Sequence, residues 1–540
     1  MITQTESYPR PRLRRSSFFS LDGEWHFGIS KEEFPLAVLD QIIKVPCPPE
    51  AKLSGISYTP SKEDYLHYRK IFSLPSGFTG DDGEVLLHFG AVNSQADVFL
   101  NDTYLGTHIG GHLPFSFQIK HLLKQENILA VRVPAPKENC QSECENNHSL
   151  YSGIWQSVYL EYVPSRGIYG ISVESTDKEA TITVKSHSKS LIIQYYEDDE
   201  EITRPFSKEI TIRPKNPKLW SPEEPYLYRF TVFSPDDRAE SYFALRCAEV
   251  RVTPSREVLF LNGQPYFLHG VEHNSLYLKD REDYEKDILR IKALGFNTVY
   301  KHYPDSPNFY EACDRLGLIV LQDTVLNNSC AHLDKTVSPN FWFNVHPNET
   351  LSEQKNEETL LHYMHAAIEH LAFYPSLLLF NVSHHQWKKD KTEAFYEKYK
   401  LLYPNILFSV NGGTFARKTS ILSDYVLYRK ANARYKRERR AFILSSLRVR
   451  PPMFTGGRAI QGNLKPRYSE RFYTLYQRQI LSSVRAGACG SICVQFADGV
   501  FSYKKYSGAQ KELSTGECEK LQELSSVLRK SYGDICNSHL

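Results

Sequence analysis

Short runs of alternating apolar and polar residues fill the first half of the chain. This alternation is typical of β-strands with one buried face. The runs 84–89 and 96–100 are examples, and turn-forming residues separate them from their neighbours. Strands of this length and spacing predict a jelly-roll β-sandwich over residues 1–165. The alternation continues in the run 180–184 and predicts an immunoglobulin-like β-sandwich over residues 166–248.

The pattern changes after the second sandwich, where short apolar runs alternate with longer stretches of helical periodicity. The run 377–382 follows Pro375 and is apolar at every position except Asn381. A run this short predicts a strand buried on both faces, as in a parallel sheet. The stretch before it, about 357–372, has apolar residues at helical spacing. Helix and buried strand together predict one unit of a (β/α)8 TIM barrel over residues 249–540.

Eight strands and five helices of the barrel are visible in the pattern. The predicted strands are 266–271, 296–300, 318–321, 377–382, 406–410, 425–428, 441–447 and 491–496. The predicted helices are 284–294, 306–316, 357–372, 431–440 and 517–532. Such barrels carry their chemistry at the carboxyl ends of the strands. We call the opening at those ends the mouth, and we expect the functional residues there.

Composition and charge are those of an ordinary globular protein, with 540 residues, of which 41% are hydrophobic and 24% charged. The net charge of +2 gives no electrostatic footprint for nucleic acid or an anionic membrane, so neither is expected as a partner. No apolar run is long enough to span a membrane, and the polar start 1–17 does not resemble a signal peptide. We therefore expect a cytoplasmic protein whose ten cysteines are reduced.

One cluster has spacing suitable for a metal site. Cys140, Cys144 and His148 are each separated by three residues, which would place them on one face of a helix. The surrounding stretch is a polar loop, however, and a fourth ligand is not evident. Plain loop thiols are the favoured interpretation, and we expect no metal and no other cofactor.

The run that contains the fourth strand resembles a signature of glycoside hydrolase family 2, the β-galactosidase/β-glucuronidase group. That signature reads roughly His-Pro-Ser, four or five apolar residues and then Asn-Glu, with Ser-Trp following in one subgroup. Pro375, Ser376 and Trp387 match it. His384 stands at the Asn position, and His385 stands at the Glu position, which in the family is the catalytic acid/base.

The seventh strand shows the same kind of departure. The family reads roughly two apolar residues, Ser or Thr, the nucleophile Glu, Tyr or Phe, and Gly. In the run 442–448, Ser445 matches, Ser446 stands at the nucleophile position and Arg448 at the Gly position. A retaining glycosidase needs two carboxyl groups about 5–5.5 Å apart. The resemblance therefore implies that both expected carboxylates are missing from their motifs.

The resemblance extends over nearly the whole chain. The motifs that carry it in the two sandwiches are 8–11, 21–25, 68–70, 98–106, 110–115, 153–161, 219–228 and 241–246. They are similar to the sugar-binding domain and the second domain of the family. The implied architecture is the one predicted from the residue pattern, namely two β-sandwiches followed by a TIM barrel.

Several other residues fall near predicted strand ends. Glu272 and Asp323 are candidate substitutes for the missing carboxylates, and Asp424 and Asp498 are candidate substrate ligands. At the end of strand two, where a sugar-contacting subgroup of the family has Arg-Lys-His, the chain has Tyr300, Lys301 and His302 as further candidates. Tyr300 and Lys301 are favoured as fillers of vacated space.

Trp387 has two equally acceptable interpretations, either as a platform for a sugar ring or as a residue of the rim. His384 and His385 are neighbours on a strand, so their side chains point to opposite sides. This is poor geometry for a metal site shared with Asp323, and we expect none. His384 remains a candidate substrate ligand.

Three functional hypotheses follow. The preferred one is a catalytically degenerate glycosidase homologue that binds a carbohydrate in its mouth or serves as a partner subunit, as a homo-oligomer or with a different protein. The second is an active glycosidase acting on β-galactosides or β-glucuronides, with a site rebuilt from His385 and one of Glu272, Asp323 or Asp498. The third is a scaffold that binds no sugar. Whether the protein is an enzyme is left open by the sequence.

Overall fold

Two antiparallel β-sandwiches and a parallel barrel follow one another along the chain. The structure is a computed structural model, and it describes residues 8–31, 39–61, 63–93, 95–135, 152–273, 281–323, 363–382, 389–409, 424–428, 440–447, 477–478, 480–497, 500–502, 510–511 and 515–537. The predicted fold class is confirmed. The boundaries at residues 165 and 248 remain our proposal.

The first sandwich contains a four-stranded sheet in the order β1-β12-β5-β9 and a six-stranded sheet in the order β3-β2-β4-β10-β7-β8, with β6 and β11 paired beside them. Its core lies between the sheets and includes Trp25, Phe27 and Phe89, all nearly or fully buried. The strands are β1 (Phe18–Ser20), β2 (Gly23–Ser30), β3 (Gln41–Val45), β4 (Tyr65–Phe72), β5 (Glu84–Phe89), β6 (Val92–Asn93), β7 (Gln95–Leu100), β8 (Thr103–Ile109), β9 (Phe115–Gln118), β10 (Asn127–Pro134), β11 (Gly153–Ile154) and β12 (Val158–Val163).

The second sandwich packs a sheet in the order β13-β14-β17 against one in the order β16-β15-β18-β19. Alternate residues such as Ile182, Ile193 and Phe230 form its core, as the alternating sequence predicts. A small sheet, β20-β21-β22, leads to the barrel. The strands are β13 (Ile168–Ser175), β14 (Ala180–Ser186), β15 (Leu191–Glu197), β16 (Glu200–Phe206), β17 (Glu209–Ile212), β18 (Tyr228–Phe233), β19 (Arg238–Phe243), β20 (Ala248–Val252), β21 (Glu257–Leu261) and β22 (Gln264–Pro265).

The barrel has eight parallel strands, which pair in the order β27-β26-β25-β24-β23-β30-β29-β28. The strands are β23 (Leu268–His273), β24 (Thr298–Lys301), β25 (Ile319–Asp323), β26 (Leu377–Asn381), β27 (Leu407–Ser409), β28 (Val426–Tyr428), β29 (Phe442–Leu447) and β30 (Gly490–Ala497), with a hairpin of β31 (Val500–Ser502) and β32 (Gln510–Lys511) on β30. The helices are α1 (Arg281–Ala293), α2 (Pro307–Leu316), α3 (363–371), α4 (Lys389–Leu402), α5 (described in part over 477–485) and α6 (Thr515–Asn537). All eight predicted strands are present to within a few residues. The predicted helix 431–440 lies, except for its last residue, outside the described residues.

Local sequence explains how α2 is bounded. Ser306 caps its amino end by accepting a hydrogen bond from the amide of Asn308, and Pro307 occupies the first turn. Gly317 ends it in the left-handed region at φ 78°, where its amide donates to Cys313 O at 2.9 Å. Its missing Cβ leaves room for Pro222 O of the second sandwich, so this glycine also permits close packing of the two domains.

Asp424 joins the two ends of the barrel sheet. Its backbone amide donates to Phe408 O at 2.9 Å, and its side chain accepts from Phe408 N at 2.9 Å. Tyr396 and Lys400 of α4 also contact its carboxylate, at 3.0 and 3.1 Å. Asp424 precedes β28 and therefore lies away from the mouth. The expectation that it binds substrate is corrected by this position, because its carboxylate is used in the seam that closes the ring.

The segment 8–20, which precedes β2, contacts all three domains. Its strand β1 pairs with β12 of the first sandwich, and Arg14 exchanges two backbone hydrogen bonds of 2.9 Å with Glu240 of the second. The guanidinium of Arg12 lies 5.4 Å from the ring centroid of Tyr374, just before β26 of the barrel. The three domains are therefore linked by one short stretch of chain.

Glu161 anchors this segment inside the first sandwich. Its carboxylate is fully buried and accepts hydrogen bonds from Tyr8 and, at 2.6 Å, from Arg10. His88 Nε2 lies 3.3 Å away. Burial alone would raise the pKa of Glu161, but the charge of Arg10 and the contact with His88 hold it well below its ordinary value. The cluster thus replaces the lost hydration of a buried charge with charged and polar contacts.

Among the helices of the described part of the chain, none is long and apolar enough to cross a membrane.

Candidate functional site

The carboxyl ends of four neighbouring strands bring polar side chains together at the mouth. In the register of the sheet, Glu272 on β23 is paired with Tyr300 on β24, and Asp323 on β25 is paired with Asn381 on β26. His302 follows β24 directly. Because the strands are parallel and adjacent, the residues that end them converge on one edge of the sheet.

Asp323 is the centre of this group. Its side chain is almost completely buried, and its two oxygens lie 2.9 and 2.8 Å from the hydroxyl of Tyr300. Asn381 Nδ2 donates to Oδ1 at 2.6 Å, and His302 Nδ1 lies 3.0 Å from Oδ2. Three side chains from two chain segments therefore occupy the acceptor positions of this carboxylate.

His302 lies between two carboxylates. Its Nδ1 contacts Asp323 as described, and its Nε2 lies 3.9 Å from Glu272 Oε1. Burial alone would lower the pKa of His302, but the hydrogen bonds and charges of Asp323 and Glu272 raise it to about 9. The side chain is 21% exposed, so a protonated imidazole remains accessible from the mouth at neutral pH.

Tyr300 and Lys301 lie beneath the mouth. Tyr300 is fully buried and orients Asp323 through its hydroxyl. Lys301 is 4% exposed, forms an ion pair of 2.7 Å with Asp305 and lies 3.4 Å from His273 Nδ1. Both side chains are held by protein partners beneath the mouth, and their interpretation as fillers of space or as substrate ligands remains a prediction.

The first sandwich contacts the barrel beside this group. His112 stacks on Tyr303, the residue after His302, with ring centroids 5.0 Å apart. Trp155 contacts His112 edge-on at 5.5 Å, and its indole donates to Gly111 O at 2.7 Å. Burial lowers the pKa of His112 to about 4, so its ring is neutral. Sequence reasoning matched the motif 110–115 but did not predict this contact.

Ser446 lies near the carboxyl end of β29, one residue before the strand ends at Leu447. The structure fixes its position along the strand, and its side chain is outside the described part. His384, His385, Trp387 and Asp498 also lie outside the described residues. Their roles therefore remain predictions.

The cysteines and histidine with metal-like spacing, Cys140, Cys144 and His148, lie outside the described residues as well. Among the residues that are described, there is no cluster of three or more His, Cys, Asp or Glu side chains suited to a metal ion.

Three models of protein families match successive parts of the chain. They are described as "Glycosyl hydrolase 2 galactose-binding domain-like" over residues 54–165, "Glycosyl hydrolases family 2" over 160–246, and "Glycosyl hydrolases family 2, TIM barrel domain" over 250–442.

Curated relatives match about half of the chain. The β-galactosidase of Thermoanaerobacter pseudethanolicus is 28% identical over 303 residues, which are 48% of this chain and 40% of the relative. The β-galactosidase of Lactococcus lactis is 28% identical over 285 residues, 49% of this chain and 28% of the relative. The chain thus matches less than half the length of these relatives.

Solved structures share the fold over nearly the whole chain. A β-glucuronidase of Faecalibacterium prausnitzii superposes with a TM-score of 0.73 at 19% identity, covering 96% of this chain and 99% of that one. A family 2 β-galacturonidase of Eisenbergiella tayi superposes with a TM-score of 0.67 at 17% identity, covering 98% of each chain. At these identities the likeness establishes the architecture alone.

Proposed function

Because this chain has the domains and architecture of glycoside hydrolase family 2, we propose that it is a catalytically degenerate member that binds a carbohydrate at its barrel mouth. The observation that carries the proposal is the state of Asp323. Tyr300, Asn381 and His302 already occupy its two oxygens. A nucleophile or general base needs a lone pair directed at the substrate, and this carboxylate has its acceptor sites engaged by the protein.

The sequence supports the same conclusion from the two motif positions. His385 and Ser446 stand where the family has its acid/base and its nucleophile. Loss of a positioned acid or base costs on the order of 10²–10⁴ in rate. Without a carboxylate nucleophile, the covalent route of a retaining enzyme is closed as well.

The polar group at the mouth suits hydroxyl groups. The protonated imidazole of His302 is 21% exposed and lies between the carboxylates of Asp323 and Glu272. Hydroxyls donate and accept at once, so a ring that carries several of them suits an opening edged by charges of both signs. The names of the relatives make a galactose-type or glucuronate-type sugar the ligand to test first. Trp387 and His384 are proposed to contribute from the end of the fourth strand.

A second candidate function is favoured by one observation. His302 lies between the carboxyl groups of Asp323 and Glu272, 3.0 and 3.9 Å from its two ring nitrogens, and these groups raise its pKa, so it is placed as a proton donor. An inverting hydrolysis needs only an acid and a base on opposite faces of the substrate. A rebuilt β-glycosidase that uses His302 or His385 with Glu272 or Asp323 is therefore the alternative, and a scaffold or partner subunit without sugar binding is the remaining one.

The test combines turnover and binding. Purified protein is incubated with aryl β-galactoside, glucuronide, glucoside and mannoside, and binding of the parent sugars is measured by calorimetry. We expect no turnover, and a sugar affinity that falls at least tenfold in Trp387→Ala and in His302→Gln. Turnover that disappears in His385→Ala or Asp323→Asn would establish the rebuilt enzyme instead. If the protein neither turns over nor binds any sugar, the scaffold interpretation replaces both.

A further inference from the structure

A cavity of about 200 Å³ lies where the second sandwich meets the barrel, on the side opposite the mouth. Its walls come from residues 173–176 and 243–246 of the sandwich and from 372–375 and 402–406 of the barrel. The two barrel segments immediately precede β26 and β27, so they lie at the amino ends of the strands. The cavity is therefore separate from the site built around Asp323.

Arg246 fixes the walls of the cavity. Its side chain donates to Asn405 O at 3.1 Å and to Leu377 O at 3.0 Å, both in the barrel. Its backbone amide donates to Thr176 O in the sandwich at 3.0 Å, and Asn405 Nδ2 donates to Ser175 O. Burial lowers the pKa of Arg246 to about 10, which leaves it charged at neutral pH. The two sides of the cavity are thus tied together by these hydrogen bonds.

Arg12 supplies a donor inside this space. It lines the cavity, and its guanidinium lies 5.4 to 5.8 Å from the ring centroids of Tyr242, Phe373 and Tyr374. Its Nε is buried and has no hydrogen-bond partner among the described residues. A buried donor of this kind is usually matched by an acceptor, and here the acceptor would come from an occupant of the cavity.

Glu174 supplies an acceptor at the rim. Its side chain is exposed and takes part in no ion pair or hydrogen bond among the residues that the structure describes. Tyr403 stands beside it and meets Phe373 edge-on, with centroids 6.0 Å apart. The other acidic residue of the wall, Glu179, is already paired with Arg213. The charged groups of the wall that are available to a ligand are therefore the cation Arg12 and the anion Glu174, and both lie next to aromatic rings.

We propose that this cavity is a second carbohydrate site, which binds one neutral monosaccharide. Opposite charges on Arg12 and Glu174 favour neither an anion nor a cation, whereas a ring of hydroxyls uses a donor and an acceptor together. Aromatic rings provide the apolar surface for the C–H face of a sugar. A volume of about 200 Å³ is below the roughly 300–1,000 Å³ of pockets for larger ligands, so the occupant is a single ring. This site does not depend on the function proposed for the mouth.

Glu174→Ala is the informative variant, because the residue is exposed and its replacement is not expected to disturb folding. Glu200→Ala, an exposed carboxylate on β16 in the other sheet of the same sandwich, is the matched control. Arg12→Gln tests the buried donor, and His302→Gln reports on the mouth. Galactose, glucose and mannose are titrated into the full chain, with calorimetry for affinity and ligand-observed NMR for contact.

We expect one monosaccharide to show binding that weakens at least tenfold in Glu174→Ala and in Arg12→Gln. The same binding is expected to be unchanged in Glu200→Ala and in His302→Gln. The proposal is overturned if all monosaccharide binding disappears in His302→Gln, which would assign it to the mouth. It is also overturned if Glu174→Ala and Glu200→Ala bind alike, or if crystals soaked near the solubility limit of each sugar hold only water in the cavity. If His302→Gln loses one binding event while the event that depends on Glu174 and Arg12 is kept, the result bears on the mouth alone, so the two proposals are tested separately.

Discussion

The imidazole of His112 lies nearly parallel to the ring of Tyr303, with centroids 5.0 Å apart and planes inclined by 14°. The first residue belongs to the first sandwich, and the second follows His302 in the loop after β24 of the barrel. The sandwich therefore supports the segment that presents the only histidine found between two carboxylates in the described part of the mouth. Carbohydrate binding at the mouth should depend on a domain that lies outside the barrel.

Replacing His112 by Ala should weaken both the domain contact and sugar binding. A stacked ring pair contributes about 0.5–1.5 kcal/mol beyond area burial, so a fall of about 1 kcal/mol in unfolding free energy is expected. Affinity for the mouth ligand should fall severalfold, because Tyr303 loses its support beside His302. Urea unfolding and calorimetry measure the two effects. His26→Ala, at an exposed position of β2, is the control, and equal effects of both changes would contradict the prediction.

Binding at the mouth should depend on pH through His302. Its pKa is raised to about 9 by Asp323 and Glu272 against the effect of burial. The charged form is favoured in the fold, so its contribution to stability is complete below the ordinary value of 6.5 and is lost as the pH rises through about 9. Sugar affinity should therefore be constant near neutrality and decline above pH 8.

An NMR titration of the His302 ring, alongside calorimetry at each pH, checks this expectation. Asp323→Asn removes one carboxylate and should move the midpoint of the titration towards lower pH. A midpoint that stays near 9 in this variant would show that Asp323 does not hold the proton on His302.

A buried carboxyl group between the second sandwich and the barrel should make stability depend on pH. Asp314 is fully buried and accepts hydrogen bonds from Ser376 N at 2.6 Å and Tyr242 Oη at 2.8 Å. Burial raises its pKa to about 7 in spite of these bonds. The folded state therefore binds the proton more tightly than the unfolded state, and the free energy of unfolding should fall as the pH rises from about 4 to about 7.

Asp314→Asn should flatten this dependence. The fall in unfolding free energy over this pH range should become smaller by a few kcal/mol. Denaturant unfolding at a series of pH values gives the slope. Asp199→Asn, at an exposed turn, should leave it as in the unmodified protein. A slope that survives in Asp314→Asn would assign the effect to another group.

Removal of the buried charge of Glu161 should be strongly destabilising. The variant Glu161→Gln leaves Arg10 without its buried carboxylate partner, whereas Arg15 keeps its ion pair of 3.0 Å with Asp237. Breaking a buried pair from one side costs about 3–5 kcal/mol. The exposed Glu63, whose side chain is 69% accessible in its pair with Lys31, provides the comparison, since such pairs contribute about 0–1 kcal/mol. In urea unfolding, Glu161→Gln should lose clearly more unfolding free energy than Glu63→Gln. Similar losses in the two variants would show that the buried cluster is not a source of stability.

The sequence was sufficient for the barrel because parallel strands are buried on both faces. The run that forms β26 is apolar at every position but the last, and the structure buries all five of its residues. The ends of α2 were similarly local, since the Ser306 side chain caps its amino end and the left-handed backbone of Gly317 ends it. Such features depend on neighbours within a few positions and can be predicted from them.

The candidate site was less accessible to prediction because its contacts join separate strands. Tyr300 meets Asp323 only through the register of β24 and β25, which the residue pattern does not give. The high pKa of His302 depends on two carboxylates that are distant in sequence. Asp424 was assigned to the mouth because it falls near a strand end, but it precedes β28 and therefore stands at the opposite end of the barrel.

The segment that contacts all three domains also has a consequence for the order in which the protein matures. Ser241 Oγ donates to Arg12 O across 229 positions of sequence, and Tyr374 of the barrel is farther still. At about 5–20 residues per second, a ribosome needs on the order of tens of seconds to supply these partners. During this time the segment cannot form its contacts with the second sandwich and the barrel, because those partners have not yet left the ribosome. Its final attachment is a late event of biogenesis, because it requires the chain to be synthesised as far as Tyr374.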